Sequence, residues 1–157
     1  MTARAVARPV PCDTIRDMPS REPDAPLRVN AFEVLIGERN IGFAEVGQLT
    51  SETELAGLPD RPIHRFATIV LRRALTASTE LYDWRRLITG GKDDRRDVTI
   101  RLLSAPGGKV VNSWRLVRAW PCRWSGPALD AMRNDVACEE LELTFDDLIW
   151  LKAKPER

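Results

Sequence analysis

Two segments near the carboxyl end decide the predicted fold: Ala119-Trp120-Pro121, and Gly126-Pro127-Ala128-Leu129-Asp130-Ala131 shortly after it. The first predicts the end of a long strand, and Gly126-Pro127 predicts a turn. A new strand is then predicted from Val136 to Phe145, with Leu141, Leu143 and Phe145 pointing inward. This order of strand, turn and strand does not suit a catalytic site. It favours a rigid β-scaffold made for contact with copies of itself.

The remaining chain reads mostly as strands. Alternating apolar residues begin at Val29, and Gly37-Glu38-Arg39-Asn40 predicts a hairpin turn. A second hairpin is predicted around Pro106-Gly107-Gly108, with Trp114 and Leu116 on one face of its long strand and Ala119 on the other. The predicted strands cover residues 29–36, 41–49, 65–75, 98–103, 110–120 and 136–145.

One helix is predicted between Thr79 and Gly90. Leu81, Trp84, Leu87 and Ile88 recur at helical spacing, Glu80 suits the first turn, and Gly90-Gly91 ends the helix. About six strands and one helix predict a mainly β, α+β fold: a small antiparallel β-barrel or sandwich flanked by an α-helix.

Composition excludes several function classes. Lys and Arg total 24 against 23 Asp and Glu, so the chain has no general attraction for nucleic acid or anionic membrane. One His and three scattered Cys predict no metal site. No segment has 18 consecutive apolar residues, so no membrane anchor is expected.

Candidate catalytic residues are few. His64 has no partner nucleophile in a recognisable motif, and the neighbouring carboxylates of Asp93-Asp94 and Asp146-Asp147 point apart, which makes them poor acid/base pairs. Gly90-Gly91-Lys92-Asp93 lacks the spacing of a phosphate loop. The sequence therefore predicts no enzymatic activity and no cofactor.

Three double-Arg sites, at 72–73, 85–86 and 95–96, have acids nearby. They indicate a solvated face or a subunit interface with complementary charge. Trp84, Trp114 and Trp120 follow core-like alternation, which favours a core or an interface over a base-stacking platform.

The domain expected from these patterns covers residues 28–150, between an arm at 1–27 and a tail at 151–157. The arm contains five Pro and no aromatic residue. It is interpreted as a flexible tail or a translation-start artefact; the alternative is an arm that orders on a neighbouring subunit.

From about Val29 to Leu148 the chain resembles the tail tube proteins of contractile phage tails and of phage-derived contractile injection systems. The resemblance lies in an ordered series of segments: FEVLIG at 32–37, GFAEVGQL at 42–49, IVLRRAL at 69–75, LYDW at 81–84, VTIRLL at 98–103, WRLVRAWP at 114–121, GPALDA at 126–131 and VACEELEL at 136–143.

The resemblance implies a β-barrel subunit that forms hexameric rings, which stack into a hollow tube inside a contractile sheath. The implied partners are further copies of the chain and the sheath and baseplate proteins, with cargo protein or DNA as candidate contents of the lumen. Assembly in the cytoplasm, as part of a phage tail or a phage-tail-like particle, is implied as well.

The residues expected to make assembly contacts form three groups. The Thr50–His64 loop and the Arg95–Asp97 turn are candidates for axial contact, and the third group is a candidate outward or lumen face. The individual candidates are Leu58, Pro59, Arg61 and His64 in the loop, Arg95, Arg96 and Asp97 in the turn, and Glu140 and Glu142 on the third face.

Two alternatives stay open. The Thr50–Pro62 segment is shorter than the corresponding excursion of the family, which favours a tube-initiating or baseplate-proximal ring with limited stacking. A monomeric ligand-binding β-barrel is the alternative from another class, although Trp114, Leu116 and Leu141 look large enough to fill a small interior.

Overall fold

The architecture is organised around one long central strand. The computed structural model describes residues 27–54, 63–66 and 68–152. Its strands are β1 Phe32–Ile36, β2 Arg39–Ile41, β3 Glu45–Val46, β4 Ser51–Glu54, β5 Ile63–Phe66, β6 Ile69–Ala74, β7 Arg96–Leu103, β8 Val110–Ser125, β9 Cys138–Thr144 and β10 Asp147–Leu151, and its helix is α1 Glu80–Thr89.

Strand β8 belongs to both halves of the sheet. One half contains β2, β1, β7 and β10, and the other contains β9, β6 and β3. The strands pair in the order β2-β1-β7-β8-β9-β6-β3, and every pairing is antiparallel. Ser113–Val117 of β8 also pairs with β10, whereas Trp120–Ser125 pairs with β9. Strands β4 and β5 form a separate two-stranded sheet, and neither pairs with another strand of the described residues. The predicted mainly antiparallel β fold with one helix is confirmed.

The change of partner along β8 requires a break in its alternation. Arg118 adopts a φ of 51°, a conformation that side-chain-bearing residues rarely adopt. Its backbone N–H donates to Asp97 Oδ1 at 3.0 Å instead of continuing the ladder. Because of this break, Leu116 and Ala119 both face the core and are fully buried. The prediction that they lie on opposite faces is therefore wrong.

Strand β8 also continues past the point where the sequence predicted its end. Pro121 is buried inside the strand, at a register shift between Pro121 and Arg123. Proline is tolerated in a sheet at such an irregularity, because no ladder N–H is required there. The predicted strand end at Trp120-Pro121 is wrong, since the strand ends at Ser125; the turn of the following loop is at Ala131-Met132, not at the predicted Gly126-Pro127.

Other predicted strands are divided. The predicted 41–49 strand is in fact two, since β2 pairs with β1 and β3 pairs with β6 in the other half of the sheet. The predicted 65–75 strand is likewise divided between β5 and β6. The segment predicted as a loop from residue 50 contributes β4 to a hairpin. The last predicted strand begins at Cys138, not Val136.

A single apolar core lies between the two halves of the sheet and α1. The helix contributes Leu81 and Trp84, and Trp84 Nε1–H donates to the carbonyl oxygen of Asp94 at 2.7 Å. Leu87, predicted on the same face, is exposed. The buried cluster combines Val34, Ile36, Ile41, Ile69, Leu71, Val98, Ile100, Leu116, Ala119, Leu141, Leu143 and Phe145 with the helix residues. Among the described residues, no helix has the length and apolar character needed to cross a membrane.

Candidate assembly surfaces

The loop between β8 and β9, residues 126–137, carries three strongly exposed large apolar side chains, including the two most exposed among the described residues. Leu129 is 87% exposed, Met132 is 93% exposed and Val136 is 73% exposed. The loop has internal hydrogen bonds, because Asp130 Oδ1 accepts from the Met132 N–H at 2.9 Å and the Asp130 carbonyl accepts from the Arg133 N–H at 3.2 Å. Large apolar side chains exposed on an ordered loop are typical of an interaction surface.

Residues of this loop line an open groove of about 400 Å³. Asp130, Asp135 and Glu140 supply its acidic side chains, and Arg72 and Arg133 its basic ones. Arg133 pairs with Asp135 at 3.4 Å, and Arg72 approaches Glu140 at 3.8 Å. We call the groove together with Leu129, Met132 and Val136 the loop surface; its acids outnumber its bases.

A second apolar surface lies at the other end of β8. Strand β10 pairs with β8 alone among the described strands, so its outer edge is free there. Ile149 and Trp150 are exposed, and Trp150 is 66% exposed. The Trp150 ring lies 5.9 Å from that of Trp114, and its Nε1–H donates to Asn112 Oδ1. An exposed apolar edge strand is a template for pairing with another chain.

The Arg95–Asp97 segment was predicted as a turn, but Arg96 and Asp97 are the first residues of β7. The segment takes part in a network of ion pairs and hydrogen bonds within the chain. Arg95 contacts Asp93 at 3.2 Å and Asp146 at 3.3 Å, and Arg118 contacts the same Asp146 at 3.4 Å. Asp97 is the acceptor for the backbone of Arg118. These contacts join the start of β7 to β8 and to the connection between β9 and β10. A role of the same residues in axial contact stays a prediction.

Arg96 has a second role beside the helix. Its guanidinium lies over the Trp84 ring, 4.9 Å from the centroid, and donates to Asp94 Oδ2 at 2.6 Å. The hydrogen bond from Arg96 lowers the pKa of the Asp94 carboxyl below its ordinary value, against a smaller opposing effect of burial. This pair fixes the start of β7 against α1.

Glu140 and Glu142 lie on the outward side of β9, as the alternation predicts. Glu140 is exposed and lines the groove of the loop surface, whereas Glu142 is partly buried and accepts a hydrogen bond from Thr68 Oγ1. His64 lies in β5, opposite Thr53. Leu58, Pro59 and Arg61 lie outside the described residues. The structure therefore places Glu140 beside the 126–137 loop.

The sequence did not reveal a buried ion network between β6, β9 and α1. Arg73 is 6% exposed and Glu139 is 2% exposed, and Arg73 Nε donates to Glu139 Oε1 at 2.6 Å. Arg73 Nη1 also donates to Glu80 Oε1 at 3.0 Å, and Trp124 Nε1–H donates to Glu139 Oε2 at 2.9 Å. A signal existed, since Arg73 alternates in step with Ile69 and Leu71 and so falls on the inward face.

Within the described residues, no group of three or more His, Cys, Asp or Glu side chains could hold a metal ion. The carboxylates of Asp93 and Asp146 form ion pairs with Arg95 and Arg118. Burial, reinforced by the charge of Glu142, raises the pKa of the Cys122 thiol, which disfavours the reactive thiolate. The geometry is that of a packed scaffold with two exposed apolar surfaces.

Comparison with known proteins identifies the family. The model of the T4-like virus tail tube protein gp19 family matches residues 28–149, most of the chain. The chain belongs to this family. It is a structural tube protein. The resemblance to tail tube proteins that the sequence predicted is confirmed. A search of curated proteins finds no match.

Solved structures of tube assemblies have the same fold. A chain of the extended sheath–tube complex of PVC, an extracellular contractile injection system, is 26% identical; the match covers 83% of this chain and 94% of that one, with a TM-score of 0.67. The tube-terminating cap of the anti-feeding prophage is 20% identical over 90% of this chain and 99% of that one, at a TM-score of 0.68. Hcp1 from Flavobacterium johnsoniae is 15% identical over 78% and 96%, at a TM-score of 0.57.

Proposed function

We propose that this tail tube protein is a subunit of the inner tube of a contractile phage-tail-like injection system, where it forms hexameric rings that stack into a hollow conduit. The observation that carries the proposal is the family match over residues 28–149. The likeness to a chain of the PVC sheath–tube complex supports the contractile machine in particular.

The proposed role is mechanical, without catalysis. Its partners are further copies of the chain, the surrounding sheath and the baseplate, which is consistent with the sheath–tube and baseplate complexes among the similar structures. Closed head-to-tail contacts generate rings, and repeated axial contacts generate a tube. Assembly is proposed to take place in the cytoplasm, and cargo protein or DNA is proposed to occupy the lumen.

The interior packing favours this proposal over a monomeric ligand-binding barrel. Leu71, Leu116, Leu141 and Leu143 are fully buried in one cluster. The groove beside the 126–137 loop is open to solvent and is lined by none of the residues of this buried cluster. A barrel that encloses a small molecule needs an apolar chamber inside the core.

The test is the mass of the purified full-length chain, measured by light scattering over a range of concentrations, with negative-stain images of the same sample. Six-fold rings or tubes are expected. Rings that do not stack would replace the main-tube role by that of a tube-initiating or baseplate-proximal ring. A chain that remains monomeric both alone and on addition of baseplate assemblies would contradict the proposal.

A further inference from the structure

We propose that neighbouring subunits in the ring are joined head to tail, with the loop surface of one copy docked on the β10 edge of the next. We call the free edge of β10 the edge surface: Ile149 and the exposed base Arg115 lie on one face of it, Trp150 lies on the other, and the exposed base Lys152 follows the strand. This inference rests on the proposed function and deepens it, because it names the two surfaces that would close the ring.

The first argument is the placement of the two surfaces. Strand β10 pairs with Ser113–Val117 in the first half of β8, whereas the 126–137 loop begins where β8 ends at Ser125. Trp114 and Ser125 are up to about 35 Å apart along an extended strand. The surfaces thus lie towards opposite ends of one rigid element. A contact between two different, separated surfaces of one chain repeats from copy to copy and forms a ring when the rotation closes.

The second argument is charge complementarity. The loop surface has more acids than bases, with Asp130, Asp135 and Glu140 against Arg72 and Arg133. On the edge surface, Arg115 and Lys152 are exposed and form no ion pair with another described residue, and the acid within β10 is the exposed Asp147. Opposite potentials on two surfaces favour their association and suppress the pairing of either surface with itself.

The third argument is the apolar content of each surface. Leu129 and Met132 extend from the loop almost fully exposed, and Trp150 stands beside Trp114 at the open edge of the sheet. Aromatic and large aliphatic side chains contribute most of the binding energy at protein interfaces. A partner of another kind would need only one of these surfaces, whereas a second copy of the chain uses both.

The experiment uses two full-length variants, each with one surface disabled. In the loop variant, Leu129→Ser and Met132→Ser remove exposed apolar groups without opening the core. In the edge variant, Arg115→Glu and Lys152→Glu reverse two exposed charges and leave Trp150 in place. Each variant alone is expected to need a concentration at least about 30-fold higher than wild type to form rings.

Mixing the two variants gives the decisive result. The loop variant keeps an intact edge surface, and the edge variant keeps an intact loop surface, so an equimolar mixture can form one good contact and is expected to stop at a 1:1 dimer. Analytical ultracentrifugation measures this dimer directly. Ring formation by either variant alone at the wild-type concentration, or the absence of the mixed dimer, would overturn the inference while the wild-type rings preserve the proposed function.

Matched controls use side chains of the same kind on α1 and the turn after it. Leu87→Ser removes another exposed apolar side chain, and Arg86→Glu with Lys92→Glu reverses two other exposed charges. These controls are expected to form rings at wild-type concentrations, and control variants that lose the rings as well would overturn the assignment of the contact to these surfaces. A wild-type chain that forms no ring under any condition would overturn the inference and the proposed function together.

Discussion

Two networks of arginines and carboxylates in this protein lie in opposite environments. In one, Arg73 and Glu139 are almost fully buried between β6 and β9 and are joined by Glu80 of the helix. In the other, Arg95 and Arg118 form exposed ion pairs with Asp93 and Asp146. Breaking a buried pair leaves an unpaired charge in the interior, whereas water compensates for the loss of an exposed pair.

The contrast is sharpest between two adjacent residues. Arg72 points outward and approaches Glu45 and Glu140 at 3.9 and 3.8 Å, while Arg73 points inward and holds Glu139 at 2.6 Å. The double Arg looks uniform in sequence, but strand alternation assigns its two members to different faces. Arg73 therefore stabilises the fold, whereas Arg72 lines the groove of the loop surface.

The largest expected effect is that of Arg73→Ala. Removal of the guanidinium leaves Glu139 charged and buried, so we expect the free energy of unfolding to fall by about 3–5 kcal/mol. Urea denaturation measures this change. The matched control is Arg72→Ala, expected to cost less than about 1 kcal/mol because its ion pairs are exposed. Equal effects of the two substitutions would contradict the distinction between the networks.

A smaller loss is expected from Trp124→Phe. The substitution removes the N–H that donates to Glu139 Oε2 at 2.9 Å but keeps an aromatic ring beside Tyr82. Hydrogen bonds to charged groups contribute about 1.5–3 kcal/mol, and a loss of about 2 kcal/mol is expected in urea denaturation. Trp120→Phe on the same strand is the control, and an equal loss there would point to ring packing rather than the hydrogen bond.

Asp97→Ala tests the exposed start of β7, where Asp97 contacts the irregularity of β8 at Arg118. The substitution removes the acceptor for the Arg118 N–H, and we expect a loss of about 1 kcal/mol with faster amide exchange at Arg118. Asp97→Asn keeps an acceptor oxygen and should retain most of the stability. If Asp97→Ala leaves stability and amide exchange unchanged but prevents ring stacking, the residue acts in axial contact and not as a local brace.

The smallest effect is expected at Asp94, and it depends on pH. Because the hydrogen bond from Arg96 lowers the folded-state pKa of Asp94, its contribution is present above the ordinary aspartate pKa of about 4 and is lost as the pH falls through the lower folded value. Asp94→Asn should cost less than about 1 kcal/mol at pH 7 and reduce the fall of Tm between pH 5 and 2. An unchanged acid transition would show that Asp94 does not contribute to it.

Much of the fold could be predicted from local pattern. The helix, the Gly37 and Gly107 turns and the inward face of β9 follow from periodicity and turn chemistry, and they were found where predicted. The errors cluster where the chain changes partner. The strand from 41 to 49 was predicted as one because its residues are uniformly compatible with a strand, but its two parts pair in different halves of the sheet.

The exposed loop illustrates a different limit. Gly126-Pro127 predicted a turn, yet nothing in the sequence distinguishes Leu129 and Met132 from core residues of the same type. Their exposure follows from the position of the loop beyond the sheet, and so does the groove that it forms with Glu140. The free edge of β10 likewise depends on which strands are its neighbours in space.

By itself, the sequence determined the secondary-structure types, the absence of a recognisable catalytic motif and the tail tube resemblance, because each depends on residues close together or in a fixed order along the chain. Only the tertiary structure decided which acid the inward-facing Arg73 pairs with, how β8 joins two halves of a sheet, and where apolar groups remain exposed. Those properties depend on contacts between residues far apart in sequence, such as Arg73 with Glu139, and no local pattern contains them.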